Sequence, residues 1–375
     1  MIYLDYSANT PVDEAVLQRF CEVERNCPGN ANSRHAAGTA AKAAIDAATR
    51  SIARSLNVQP AEIIYTSGAS EANNFAIKSI ARLERHHGRH IISTPLEHSS
   101  VSGSLTALQE QGYEIDLVDI RQDGTVDLAH LKELLRPDTI LVAVTAVDSE
   151  LGVVQPVAEI AEMLKACPHC HFHVDATQAV GKLPVSFAGI DTMSLTAHKF
   201  YGLNGIGVLV KRRGLALEPL IHGGESTTIY RSGTPTVALA SSLACALDLA
   251  VTDLPNRVDH VAKLNAELRA ALSTYPLVRI NSPEHTIPHV LNLSVRNVKG
   301  TVFQRELDAK GVCVSVKSAC SSDGLPSRAV FAVSRDRRNA LSSWRISLSH
   351  LTTEDEIKAF LQAFDVCYRE LTAVH

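Results

Sequence analysis

Two stretches of the chain place reactive side chains where apolar runs end. HFHVDATQ (171–178) carries Asp175 near the end of one run and Gln178 three residues later, and TMSLTAHKFYG (192–202) ends the next with Thr196, His198 and Lys199. Upstream, IIYTS leads into SGASEANN, where Gly68, Ala69 and Ser70 precede a helical stretch and offer backbone N–H groups and a hydroxyl to an anion. A lysine amine forms a Schiff base with an aldehyde. An acid keeps a pyridine nitrogen protonated so that the ring can drain a carbanion, and helix-end donors hold a phosphate. Together these are the parts of a pyridoxal-phosphate site. The same residues also read as a surface lysine, a helix-capping aspartate and a plain N-cap serine.

For those residues to converge, several strands must end at one edge. Runs rich in Val and Ile recur at 63–67, 90–95, 114–120, 140–147, 171–176, 192–197 and 207–212, and read as strands buried on both faces. Helical periodicity lies between them, as at 40–56 and 157–166, so the chain predicts a mostly parallel sheet covered by helices. Ligands of such sheets sit at the carboxyl ends of the strands, which is where Asp175 and Lys199 fall. After about residue 250 the texture changes to a helical stretch at 258–275, short strand-like runs at 289–295, 312–316 and 344–349, and a closing helix from 352. We read residues 13–252 as a large α/β domain that binds the cofactor, and 1–12 with 253–375 as a smaller α+β domain.

With 375 residues, 45% hydrophobic, and a formal charge of −4, the chain has the composition of a soluble enzyme and no basic run to gather nucleic acid or an anionic membrane. No leader-like N-terminus or membrane-length apolar stretch is present, and the expected location is cytoplasmic. Eight cysteines (Cys21, Cys27, Cys167, Cys170, Cys245, Cys313, Cys320 and Cys367) are too sparse for a disulfide framework.

The ordered strings YLDYSANTPVD, TSGASEANN, PLEHSS, HVDATQAVGK, TAHKFYG, RSGTP and SVKSACSS resemble pyridoxal-phosphate cysteine desulfurases of the NifS/IscS class, from residue 2 to about 360. The resemblance implies a fold-type I, class-V aminotransferase-like homodimer. It implies Lys199 as the Schiff-base lysine, Asp175 facing the pyridine nitrogen, Gln178 on the ring 3-oxygen and His98 stacked on the ring and handling protons. Ser70, Ala69, Thr196 and His198 fall at the phosphate, and Thr234 reaches it from the other subunit. Arg345 grips the substrate carboxylate, for which a bidentate fork suits better than a point charge. Cys320 matches the nucleophile, in the small domain. The implied reaction takes sulfur from L-cysteine through an aldimine, leaves alanine and a persulfide on Cys320, and passes the sulfur to an acceptor protein or small thiol.

The chain departs from the family pattern in places. Asp148, Ser149 and Glu150 stand where Asn-Asn-Glu is usual, so Ser149 takes the place of a residue that touches both cofactor and substrate, with a shorter reach. Val316 and Lys317 replace Ser and Gly, and Lys317 either depresses the Cys320 thiol pKa or stiffens its loop, which is also about one residue shorter than usual. Glu225 and Thr228 replace Gly and Arg, and the set suggests a branch serving a dedicated acceptor. Cys167-Pro-His-Cys170-His171-Phe-His173 has a zinc-like spacing, but no second ligand pair is evident and a turn with core histidines is the expected reading, with no metal. The competing functions are a selenocysteine lyase or another class-V reaction, and a weakened paralogue acting as a docking scaffold.

Overall fold

In the computed structural model, residues 1–224, 227–317 and 325–373 are described. The strands are β1 (Ile2–Tyr3), β2 (Ile63–Thr66), β3 (His90–Ser93), β4 (Glu114–Leu117), β5 (Thr139–Thr145), β6 (His171–Asp175), β7 (Thr192–Thr196), β8 (Gly207–Lys211), β9 (Val278–Ile280), β10 (Val290–Val295), β11 (Val312–Cys313) and β12 (Ser343–Ser347). A seven-stranded sheet runs in the order β2-β8-β7-β6-β5-β3-β4. β8 is antiparallel to both of its neighbours and every other pairing is parallel, so the mostly parallel sheet expected from the sequence is present.

Strand alternation builds the layers on either side. Ile64, Ile91, Leu141, Ala143 and Leu209 project to one face and pack with Phe75, Ile77 and Ile80 of the helix Ala69–Glu84. Ile63, Ile92, Val142, Val144, Val208 and Val210 project to the other face, into a larger core. That core includes the helices Ala36–Ser55 and Val237–Thr252. A strand covered on both faces must be apolar at successive positions, which is why these runs read so clearly. β4 is the exception: it has one neighbour, Glu114 and Leu117 are exposed, and Glu114 accepts from Arg136 Nη2 at 2.7 Å. β2 also lies at a sheet edge and is buried, so the expectation of burial on both faces fails at β4 alone among the strands of this sheet.

A second core forms around the sheet β12-β10-β9 and the helices Leu254–Leu272, Gly300–Ala309 and Glu354–Thr372. At its centre the Phe303 and Trp344 rings stack at 5.1 Å. The N-terminus belongs to this core: β1 pairs with β11, Leu4 is fully buried in it, and Ser347 N–H donates to the Leu4 carbonyl at 2.8 Å. The chain then returns toward the large sheet, where Thr10 N–H reaches the His198 carbonyl at 3.0 Å, so Ser7 and Ala8 pass beside Lys199.

Candidate active site

A cavity of about 350 Å³ opens at the carboxyl ends of the parallel strands. The turn after β2 supplies Gly68, Ala69 and Ser70 to its wall, the segment after β3 supplies His98, and that after β5 supplies Ser149. β6 contributes Asp175 at its last residue and Gln178 just beyond, while β7 contributes Thr196, followed by His198 and Lys199. Arg345 enters from β12.

At one end of the cavity the helix Ala69–Glu84 starts after Gly68 without a side-chain cap among the described residues, which leaves first-turn N–H groups for an anion. The approach depends on Gly207 at the start of β8. A Cβ there would lie 2.6 Å from the Leu195 carbonyl oxygen and 2.7 Å from Gly68 Cα. Opposite stands Thr196 Oγ1, 3.2 Å from His198 Nδ1. Burial, reinforced by Lys199 and Lys182, pushes the His198 pKa down to about 4, so the ring is neutral and adds hydrogen bonding without charge. An uncapped helix end, a hydroxyl and an imidazole form a donor set that fits a phosphate ester.

Asp175 is buried with both carboxylate oxygens engaged: Oδ1 accepts from Thr177 N–H at 2.9 Å and Oδ2 from Asn73 Nδ2 at 2.8 Å. Asn73 Oδ1 in turn accepts from Ser194 Oγ at 2.5 Å and lies 3.0 Å from His173 Nε2, whose ring meets Thr192 Oγ1 at 2.9 Å through Nδ1. Burial pushes the His173 pKa down to about 4. The neutral ring therefore donates from Nε2 to Asn73 and accepts from Thr192, and a chain of oriented donors ends on the carboxylate. Asn73 escaped the sequence reading. Its signal is a polar residue four positions after Ala69 on the face of a helix that is otherwise apolar.

Lys199 Nζ donates to the carbonyls of Ser7 at 2.8 Å and Ala8 at 2.6 Å, which aim the amine into the cavity mouth. Gln178 Nε2 shares the Ser7 carbonyl at 2.9 Å, and its Oε1 accepts from Lys182 Nζ at 2.5 Å. Lys182 is fully buried, and burial first, then Lys199 and Arg345, drive its pKa well below the ordinary lysine range. It lies in the HVDATQAVGK string and was given no role there. His98 caps the helix Ser99–Gln109, accepting Ser100 N–H on Nδ1 at 3.2 Å. With burial lowering its pKa, the ring is neutral with its proton on Nε2.

Arg345 is almost fully buried and donates from Nη1 to the Ser149 carbonyl at 2.7 Å and from Nη2 to Asp5 Oδ1 at 2.9 Å, while Nε lacks a partner among the described residues. Ser315 Oγ donates to the second Asp5 oxygen at 2.7 Å. Asp5 was not singled out from sequence, although it lies in the YLDYSANTPVD string. Cys320 and Glu225 fall outside the described residues. Lys317 Nζ donates to the Leu325 carbonyl at 3.1 Å, across the two ends of the segment that contains Cys320. Thr234 lines a small neighbouring cavity with Thr227 and Arg231 that shares Ser67 with the cofactor cavity, and it is not among the residues that line the cofactor cavity itself.

The profile of the family Aminotransferase class-V matches residues 2–360. A relative described as "Cysteine desulfurase IscS", from Proteus mirabilis, is 39% identical over 95% of this chain and 90% of its own length. A solved structure titled "NIFS-LIKE PROTEIN" superposes with a TM-score of 0.92 at 34% identity, covering 97% of this chain and 98% of that one. Another, titled "SspA in complex with cysteine", gives 0.83 at 29% identity over 94% of this chain and 100% of that one.

Proposed function

The chain belongs to the class-V aminotransferase family and uses pyridoxal phosphate, and we propose that it acts as an L-cysteine desulfurase, working as a homodimer and leaving the removed sulfur on Cys320. The observation that carries this reading is the convergence of Lys199, Asp175, Gln178, His98 and Arg345 on one cavity that ends at an uncapped helix.

Pyridoxal phosphate, when bound, supplies an aldehyde carbon for an amine and a cationic ring that takes up negative charge from the substrate Cα. The N–H groups at Gly68–Ser70, with Thr196 and His198, are the groups that would hold its phosphate. Asp175, kept in place by Asn73 and Thr177, would pair with the ring nitrogen, and Gln178 with the ring oxygen. Arg345 takes the substrate carboxylate: the fork is already oriented by Asp5 and the Ser149 carbonyl, and its charge lies in a water-poor wall where a carboxylate partner is worth most. Ser149 contributes its backbone to that orientation and a hydroxyl to the cavity rim.

Proton movement falls to Lys199 Nζ, which accepts the α-proton, and to His98, whose ring lines the cavity while its Nδ1 is engaged by the helix cap. The Cys320 thiolate attacks the substrate sulfur. A new S–S bond forms as the Cβ–S bond breaks, the electron pair goes to Cβ and is protonated there, and return of the α-proton from Lys199 to Cα completes alanine. The persulfide sulfur passes to an acceptor protein or a small thiol. Thr234 supports the dimer reading, since it matches a phosphate ligand yet does not line its own chain's cofactor cavity.

The test is to supply the purified holoenzyme with L-cysteine and a reducing thiol and to measure alanine and sulfide. Equal amounts of both, lost in Cys320→Ala while the bound-cofactor absorbance stays, are expected. Cofactor binding with no release of alanine would sink the proposal.

A further inference from the structure

The end of the large sheet opposite the cavity collects imidazoles that the reaction does not use. Three segments meet there: the last residue of the helix Ala69–Glu84, the connection 85–89 into β3, and the turn 167–170 into β6. Glu84 Oε2 lies 2.7 Å from His87 Nδ1, and its Oε1 lies 3.3 Å from His171 Nε2. The His87 ring stacks on that of His169 with centroids 3.9 Å apart and meets the His86 ring at a tilt, also at 3.9 Å. One ligand atom each from Glu84, His86 and His87 lies within 4.8 Å of the others.

We propose that this cluster binds one divalent transition-metal ion of the zinc and nickel type, ligated by Glu84, His86 and His87 with the imidazole of His169 or His171 completing the set. The proposal stands apart from the desulfurase reading and does not depend on it. Tetrahedral zinc with bonds of about 2.0–2.1 Å separates its ligand atoms by about 3.4 Å, so Glu84, His86 and His87 need to close in by at most about 1.4 Å. His86 is already oriented for the task, because its Nδ1 sits 2.9 Å from the Leu83 carbonyl and leaves Nε2 as the ligating nitrogen. Glu84 ends a long helix, where the backbone dipole opposes a carboxylate and favours a cation. Imidazole and carboxylate donors select zinc, nickel or copper over magnesium and calcium.

The cysteine spacing that drew attention in the sequence takes a different part. Cys170 is buried, its thiol pushed up by burial, and its Sγ faces the His171 carbonyl at 3.8 Å. Its N–H closes the turn on the Cys167 carbonyl at 3.0 Å. That turn presents His169 and His171, on either side of Cys170, to Glu84 and His87.

The experiment titrates zinc chloride into metal-stripped holoenzyme carrying Cys320→Ser, which removes the reactive thiol, and follows heat and melting temperature. One saturable equivalent per chain and a raised melting temperature are expected, weakened at least tenfold in His86→Ala/His87→Ala. Both substituted residues are exposed, so the stripped variant should melt with its parent. Cys167→Ser/Cys170→Ser should bind as the parent does, and His169→Ala should weaken binding by a smaller factor. Absence of saturable binding, binding unchanged in the histidine double variant, or loss of binding in the cysteine pair would each overturn the assignment.

Discussion

Asn73 holds the carboxylate of Asp175 in place, and its loss should be felt in both stability and turnover. Asn73→Ala strands Asp175 Oδ2 and the Ser194 hydroxyl in a dry interior, at about 2 kcal/mol or more together. Turnover is expected to fall about tenfold, with a shift in the bound-cofactor absorbance, because the carboxylate loses its fixed orientation. Arg345→Lys keeps the charge but not the fork, and KM for L-cysteine should rise about tenfold or more in steady-state assays. A third expectation concerns Glu97, whose pKa burial pushes up to about 8. From its ordinary value up to about pH 8, the folded chain keeps a proton that the unfolded chain has lost, so Glu97 withdraws stability as pH rises. Thermal melts should therefore give Glu97→Gln a larger advantage over the parent at pH 8 than at pH 5. His173 and His198 act in the opposite sense, since both are held neutral down to about pH 4 and stability is lost as pH falls below the ordinary histidine value. Asp175 and Lys199 were legible because chemistry restricts which side chains can occupy such positions, whereas His98 and Arg345 came only with the family resemblance. Asn73, Lys182 and Asp5 were not legible, since each acts through another residue and only the fold reveals the pairing.

At the scale of elements, the phosphate end rests on two backbones brought into contact. β8 has to run against its neighbours so that Gly207 lies beside Gly68, and any Cβ there displaces the first turn of the helix Ala69–Glu84. Gly207→Ala is expected to lower cofactor retention at least tenfold after dialysis, with the remaining sheet intact by circular dichroism. All seven strands of the large sheet were read from their apolar runs, because burial on two faces overrides every other pattern. The exposed β4 was misjudged for the same reason, since an edge strand's fate depends on which neighbour it lacks. β1 and β9 are too short to carry a period, and β1 forms through a partner more than 300 residues away.

For the whole molecule, the dimer reading makes a quantitative demand. If Thr234 completes the phosphate site across a two-fold interface, Lys199→Ala and Thr234→Ala chains refolded together should recover about a quarter of wild-type activity. One intact site then exists in each mixed dimer. Light scattering should report a dimer before and after mixing, and recovery no greater than the sum of the separate variants would count against shared sites. The split of the chain into two cores could be anticipated from the change in texture near residue 250; residues 1–12 were assigned to the smaller domain as well, although no local pattern in them reports their return to a partner at the far end of the chain.

That return has a consequence for biosynthesis. Leu4 is held by Ser347, and Asp5 by Arg345, so the group that grips the substrate joins residues near the opposite ends of the sequence. Contacts of such separation form late, after the loop between them has closed. A ribosome that has released only the large sheet has already assembled Lys199, Asp175 and the helix that awaits phosphate. Its nascent chain holds the large-domain part of the cofactor site, yet it has no anchored guanidinium to hold an amino acid. Substrate handling begins only once translation has passed Arg345, and a partly made chain is thereby kept from mobilising sulfur.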